Sequence, residues 1–237
     1  DGAGYAAAGT RAAGLWVHDL DAALALASPC RDDTLDATTC GVTRRRLGTI
    51  AQLSGVHGVG RHVVASGERI EIFDLTSSSA EPVVSWDPGI AGFNFGVAML
   101  AGGGTTLVAA IHAVDRVVEL ALWDVGECLT SGCDAPALLD SVTIDGLNLP
   151  RFLTVSRRAG VPHLYVGTEF TCVRDEGDWL YRVVETGDAT HLERVAVRPD
   201  YFGWYYPASS VDGAFDTRPR RARFLGNDLY RAAWTSL

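Results

Sequence analysis

Lysine is missing from this sequence, because all 20 of its basic residues are arginine. Arginine is the better planar hydrogen-bonding group, but a complete lack of lysine is typical of codon usage in a GC-rich genome and indicates no function. The sequence also lacks a run of the ~20 apolar residues that a membrane-spanning helix needs. Nucleophile-elbow, phosphate-loop and zinc-protease motifs are absent as well. Their absence leaves open an enzyme that assembles its site from scattered residues.

The composition is that of a folded protein with an acidic surface. Among 237 residues, 47% are hydrophobic and 21% are charged, which excludes a largely disordered chain. The net charge of −9 argues against nucleic acid or an anionic membrane surface as a partner.

Four of the five cysteines form two short-range pairs in polar stretches, Cys30 with Cys40 and Cys128 with Cys133. Neither pair has the two-residue spacing of a zinc site or a histidine close behind it. We therefore predict two local disulfides, which form in an oxidising compartment. Cys172 is left over, either as a buried thiol or as a partner for another chain. Since the sequence opens without a signal peptide, we expect an exported chain (secreted, periplasmic or at the cell surface) that has already lost its export signal.

The sequence is organised around a short apolar strand that ends in an aspartate. The aspartates are 55 and 50 residues apart, and they are Asp19, Asp74 and Asp124. Weaker relatives of this strand occur at 180–184 and 229–234. Repeated short strands at a period near fifty residues are typical of a propeller.

The pattern predicts an all-β chain, with strands that are often apolar on both faces because sheets stack face to face. We expect a single domain over residues 1–237, a β-propeller of about five four-stranded blades or a fragment of a larger propeller. The expected blades cover approximately 1–50, 51–90, 91–145, 146–199 and 200–237.

Two segments resemble the LVIVD-type repeat of bacterial cell-surface propellers. They are 5–9 followed by 14–20, and 62–67 followed by 70–75, each a strand, a turn and an aspartate-ended strand. The resemblance covers the first three units, whereas Val184 and Ala233 replace the aspartate in the last two. It implies an exported propeller and assigns no activity.

The repeated aspartates allow two interpretations. They could form a ring of carboxylates that binds cations. Alternatively, each accepts backbone N–H groups in the turn that leaves its strand, as aspartate commonly does. Their equivalent positions in successive units favour the turn interpretation.

Polar residues near the inner strands define a possible axial site. Asn94 and Asn148 begin inner strands 54 residues apart, and with Glu169 and Asp115 they could hold calcium. The histidines near these strands, of which one could act as a general base, are His57, His62, His112 and His163. No fixed-spacing metal motif supports this site, and the asparagines could instead satisfy backbone groups.

The densest aromatic segment contains Trp204, Tyr205 and Tyr206. Such side chains suit contact with a glycan or a protein, and they also suit the closure between the last and first blades.

Two functional hypotheses follow. The first is a non-enzymatic binding or scaffold module that needs no cofactor and presents loops to protein or glycan partners at a bacterial surface, with or without a larger assembly. The second is a calcium-dependent, lactonase-like hydrolase with His57 or His112 as its base.

Overall fold

The computed structural model describes residues 5–10, 14–19, 44–48, 50, 53–88, 93–102, 104–114, 117–144, 150–168, 179–187, 189–197, 223–225 and 228–230. These residues form five antiparallel sheets, each built from consecutive strands. Sheet 1 contains β1 (Tyr5–Thr10), β2 (Gly14–Asp19) and β3 (Arg44–Leu47). Sheet 2 contains β4 (Gly55–Val59), β5 (His62–Ser66), β6 (Ile70–Asp74) and β7 (Val84–Trp86).

Sheet 3 contains β8 (Phe93–Gly102), β9 (Thr105–Val114), β10 (Val117–Asp124) and β11 (Ala137–Thr143). Sheet 4 contains β12 (Pro150–Arg158), β13 (Val161–Thr168), β14 (Trp179–Thr186) and β15 (Ala189–Val197). Sheet 5 contains β16 (Arg223–Leu225) and β17 (Asp228–Tyr230). The prediction of an all-β chain is confirmed for the described residues, and each sheet corresponds to one unit of the sequence repeat.

Sheet 3 explains why its strands are apolar on both faces. Successive side chains of a strand point to opposite faces, and here both faces are buried. Val97, Met99, Val108, Ala110 and Ala121 pack against sheet 2. The alternate residues pack against sheet 4, and they include Ala98, Leu100, Leu107, Ala109, Ile111, Leu120 and Leu122. The sheet is therefore an internal layer of a stack.

Sheet 2 has the same two-sided character. Val64, Ile70 and Ile72 face sheet 3, whereas Val63 and Phe73 belong to a separate cluster with residues of sheet 1. The first four sheets thus stack face to face in chain order, and each interface is a separate apolar cluster.

The first strands of successive sheets are neighbours. β1 contacts β4, β4 contacts β8, β8 contacts β12, and β12 contacts β16. Within the described strands, hydrogen-bonded pairing stays inside each sheet and does not join the first sheet to the last.

The outer strands of sheets 3 and 4 also meet. β11 contacts β15, and a carboxylate oxygen of Asp140 on β11 accepts the backbone N–H of Leu192 on β15 at 2.7 Å. This bond ties two neighbouring sheets together at their outer edges.

A short helix, α1 (Gly126–Ser131), links β10 to β11 where the sequence indicated a polar loop. A disulfide joins Cys128, which is buried in this helix, to Cys133 just beyond it. The predicted pairing of these two cysteines is confirmed. Cys30, Cys40 and Cys172 lie outside the described residues. Within the described part of the chain, no helix has the length and apolar character needed to cross a membrane.

Candidate functional site

Asp74, at the end of β6, accepts two hydrogen bonds from Thr76. The backbone N–H of Thr76 is 2.8 Å and its hydroxyl 2.6 Å from the same carboxylate oxygen. Arg61 lies 3.5 Å from the other oxygen. Burial opposes ionisation of this carboxyl, but the Thr76 hydrogen bonds and the Arg61 charge outweigh it, so the pKa of Asp74 is lowered.

Asp124, at the end of β10, has the same role. One of its carboxylate oxygens accepts the backbone N–H of Gly126 at 2.8 Å and the hydroxyl of Thr105 at 2.6 Å. The turn interpretation of the repeated aspartates is therefore confirmed at Asp74 and Asp124. The side chain of Asp19 lies outside what the structure describes.

His57 is a hydrogen-bond acceptor between sheets 2 and 3. Its Nδ1 accepts the backbone N–H of Met99 on β8 at 3.2 Å. Burial lowers the pKa of His57, and the neutral ring is the form that can accept this bond. The geometry gives His57 a structural role between two neighbouring strands.

His112 lies on β9 with 2% of its surface exposed. Its Nε2 is 3.2 Å from a carboxylate oxygen of Glu119, which also accepts the Ser141 hydroxyl at 3.1 Å. Burial lowers the pKa of His112 and outweighs the opposite effect of Glu119. Its Nδ1 is buried and has no hydrogen-bond partner among the described residues, and its ring centroid is 6.4 Å from that of Trp123.

The candidate axial residues are brought together only in part. Asn94 is the register partner of His112 on the adjacent strand. His57 lies farther along the strands, where it contacts Met99. The register partner of Met99 is Val108 on β9. Val108 is four residues from His112, which is ~13 Å along a strand. Asn148, Glu169 and Asp115 lie outside the described residues, as do Trp204, Tyr205 and Tyr206. Within the described ranges, no three histidine, cysteine, aspartate or glutamate side chains are grouped as metal ligands would be.

Half-buried His57 and buried His112 predict a stability that falls in acid. Both folded-state pKa values lie below the ordinary value of 6.5. At a pH between the folded-state pKa and 6.5, the unfolded chain therefore binds more protons than the folded chain. Stability that is fully present above pH ~6.5 is therefore lost as the pH falls toward the folded-state pKa. Urea unfolding across this range should show a steadily decreasing midpoint.

The variants His57→Gln and His112→Gln identify the main source of that slope, and the double variant should reduce it. Burial also lowers the pKa of His62, which supplies part of the slope that remains. Burial raises the pKa of Glu71, so this carboxyl contributes in the opposite direction, with stability lost as the pH rises above 4.5. A double variant that keeps the full acid sensitivity would contradict the assignment to the histidines.

A groove opens at one end of sheets 3 and 4. The turn before β9, helix α1 and the end of β12 lie at this end of the sheets. The groove has a volume of about 520 Å³, within the ~300–1,000 Å³ of small-molecule sites. Its lining combines polar and apolar surface, and the residues that form it are Ala101, Gly104, Thr105, Thr106, Gly126, Thr130 and Arg157. We call this feature the threonine groove.

Internal hydrogen bonds fix the walls of the threonine groove. Thr105 donates its hydroxyl proton to Asp124, and Thr130 donates its own to the carbonyl oxygen of Glu127 at 2.9 Å. Gly126 must be glycine, because a Cβ there would collide with the Thr105 hydroxyl. Arg157 donates to the carbonyl oxygen of Gly160 at 3.1 Å, which holds the β12–β13 turn and the guanidinium together.

Sequence reasoning missed this groove. Gly102 ends β8, and Gly104 lies in a turn just before β9. The two threonines after it, Thr105 and Thr106, were the only local signal of a polar surface. Nothing in the sequence linked them to Arg157, which is on the next sheet.

No protein-family model matches this sequence, and no curated protein matches it significantly.

Proposed function

We propose that this chain is a non-enzymatic binding or scaffold module of an exported bacterial protein, a β-propeller that presents its inter-strand connections to a protein or glycan partner. The main support for the proposal is the threonine groove, and three further observations add to it. Connections from two neighbouring sheets form this open surface of fixed shape.

The stacking of the sheets supports the propeller. Four antiparallel meanders follow one another in chain order, their faces bury each other, and their first strands are neighbours. This is the arrangement that radial repetition around a central axis requires. In such an array the sheet faces are used for packing, so the connections at the sheet ends are what a partner can reach.

The disulfide between Cys128 and Cys133 supports export, because disulfides persist in oxidising compartments. The LVIVD-type resemblance points to the same environment, the surface of a bacterial cell.

The internal bonds of the repeated polar residues favour binding over catalysis. Asp74 and Asp124 hold turns, His57 accepts a backbone N–H, and His112 is buried against Glu119. A general base must reach substrate directly or through one water, and these two histidines contact the protein interior instead.

A glycan array and a pull-down from bacterial envelope extract, both with the oxidised full chain, test the proposal. We expect saturable binding to a glycan or an envelope protein, with competition by excess unlabelled chain. Folded protein that binds nothing in either experiment would contradict the binding role.

The register pairing of Asn94 with His112 is what favours the calcium-dependent alternative. Elemental analysis of purified chain and melting with and without EDTA separate the two hypotheses. The binding hypothesis expects no stoichiometric calcium and an unchanged melting temperature, and a chelator-sensitive bound calcium would favour the hydrolase.

A further inference from the structure

The threonine groove contains one charged side chain, Arg157, among its described lining residues. Two exposed arginines elsewhere are paired with carboxylates, Arg61 with Asp74 and Arg182 with Glu193, and Arg69 donates to the Ser85 hydroxyl. Arg157 has no carboxylate partner among the described residues, and its guanidinium is held by the carbonyl oxygen of Gly160. An arginine held in place beside a groove can bind an anionic group through paired hydrogen bonds.

The threonines add a second requirement. Because Thr105 and Thr130 give their hydroxyl protons to Asp124 and to the backbone, their oxygens retain only acceptor capacity for a ligand. A ligand that satisfies them must donate hydrogen bonds. A simple carboxylate or sulfate has acceptors alone and fits only the Arg157 end.

The charge of the whole chain adds a third requirement. At a net charge of −9, the protein repels polyanions such as nucleic acid over long distances. A short ligand with few charges, placed close to Arg157, is affected much less, since salt screens the more distant charges.

From these three requirements we infer that the threonine groove binds an acidic saccharide, with a uronate carboxylate on Arg157 and sugar hydroxyls donating to Thr105 and Thr130. Gly104 leaves open space where a side chain would otherwise lie, which suits the approach of a sugar ring. This inference rests on the proposed binding function and assigns it a site and a ligand class.

The test is calorimetric titration of the oxidised full chain with trisaccharides of galacturonate, glucuronate and mannuronate. We expect at least one of them to bind. Its methyl ester, which keeps the hydroxyls and removes the charge, should bind about tenfold more weakly or not at all. Acetate at the same concentration, which keeps the charge and lacks the hydroxyls, should not bind.

Variants locate the binding. Arg157→Gln should weaken it about tenfold or more, Arg157→Lys should weaken it less, and Thr130→Val should remove one acceptor and weaken it as well. Arg182→Gln is the matched control, an exposed arginine of the same sheet that lies outside the groove, and it should leave binding unchanged. Melting temperatures of all four variants verify that they fold.

Three results would overturn the inference: no binding of any uronate, equal binding of acid and ester, or full binding by folded Arg157→Gln protein. If the array or the pull-down still yields a partner whose binding is unaffected by Arg157→Gln, the proposed binding function stands and only this site and ligand class fail. If the chain binds nothing in any of these experiments, both fail.

Discussion

Replacing Leu120 by alanine is expected to lower the free energy of unfolding by about 2–5 kcal/mol. Leu120 lies on β10 with 0% of its surface exposed, in the cluster between sheets 3 and 4. Truncation removes buried methyl groups and leaves a cavity between two sheets that cannot collapse freely. Since a domain has a total stability of ~5–15 kcal/mol, the change is a large fraction of it. Urea unfolding followed by tryptophan fluorescence measures the difference.

Leu138→Ala is the matched control, with the same chemical change in the same sheet. Leu138 lies on β11 with 58% of its surface exposed, so its truncation should change the free energy of unfolding by no more than ~0.5 kcal/mol. Similar losses in the two variants would mean that sheets 3 and 4 do not pack as described.

Loss of the disulfide between Cys128 and Cys133 is expected to cost about 2 kcal/mol, the chain-entropy value for a closed loop this short. The double variant Cys128→Ala, Cys133→Ser removes the cross-link. It also removes a buried sulfur that packs between sheets 2 and 3, so its loss should slightly exceed the contribution of this cross-link alone. Thermal melting of oxidised chain, reduced chain and double variant gives the three values.

The reducing agent provides the control for this experiment. If the predicted pairing of Cys30 with Cys40 also exists, reduction will destabilise the double variant further, and non-reducing peptide mapping will show both links. A double variant as stable as the oxidised chain would contradict the expected contribution of the Cys128–Cys133 bond.

The sequence was sufficient to predict the sheets because their signal is local. Apolar alternation on two faces and an aspartate at the strand end recur in one chain segment after another, and β6 and β10 end at Asp74 and Asp124 as expected. The turn role of those aspartates was also predictable, since the acceptor and its N–H donor are two residues apart.

Features that depend on the relative placement of sheets were not predictable from one sequence. The hydrogen bond from Met99 to His57 spans 42 residues, and no periodicity indicates which backbone group a histidine will reach. The same holds for Arg157, which lines one groove with Thr105 and Thr130 although it lies on the next sheet. Helix α1 was missed because six residues are too few for a helical period.

The carboxylate of Asp140 has a consequence for self-association. An outermost strand presents a row of unmatched amide groups that can recruit a strand from another molecule and start aggregation. By occupying the outward amide of Leu192, Asp140 places a negative charge at the point where an incoming strand would have to pair. The outer edge of sheet 4 is thereby less able to template a partner strand at Leu192.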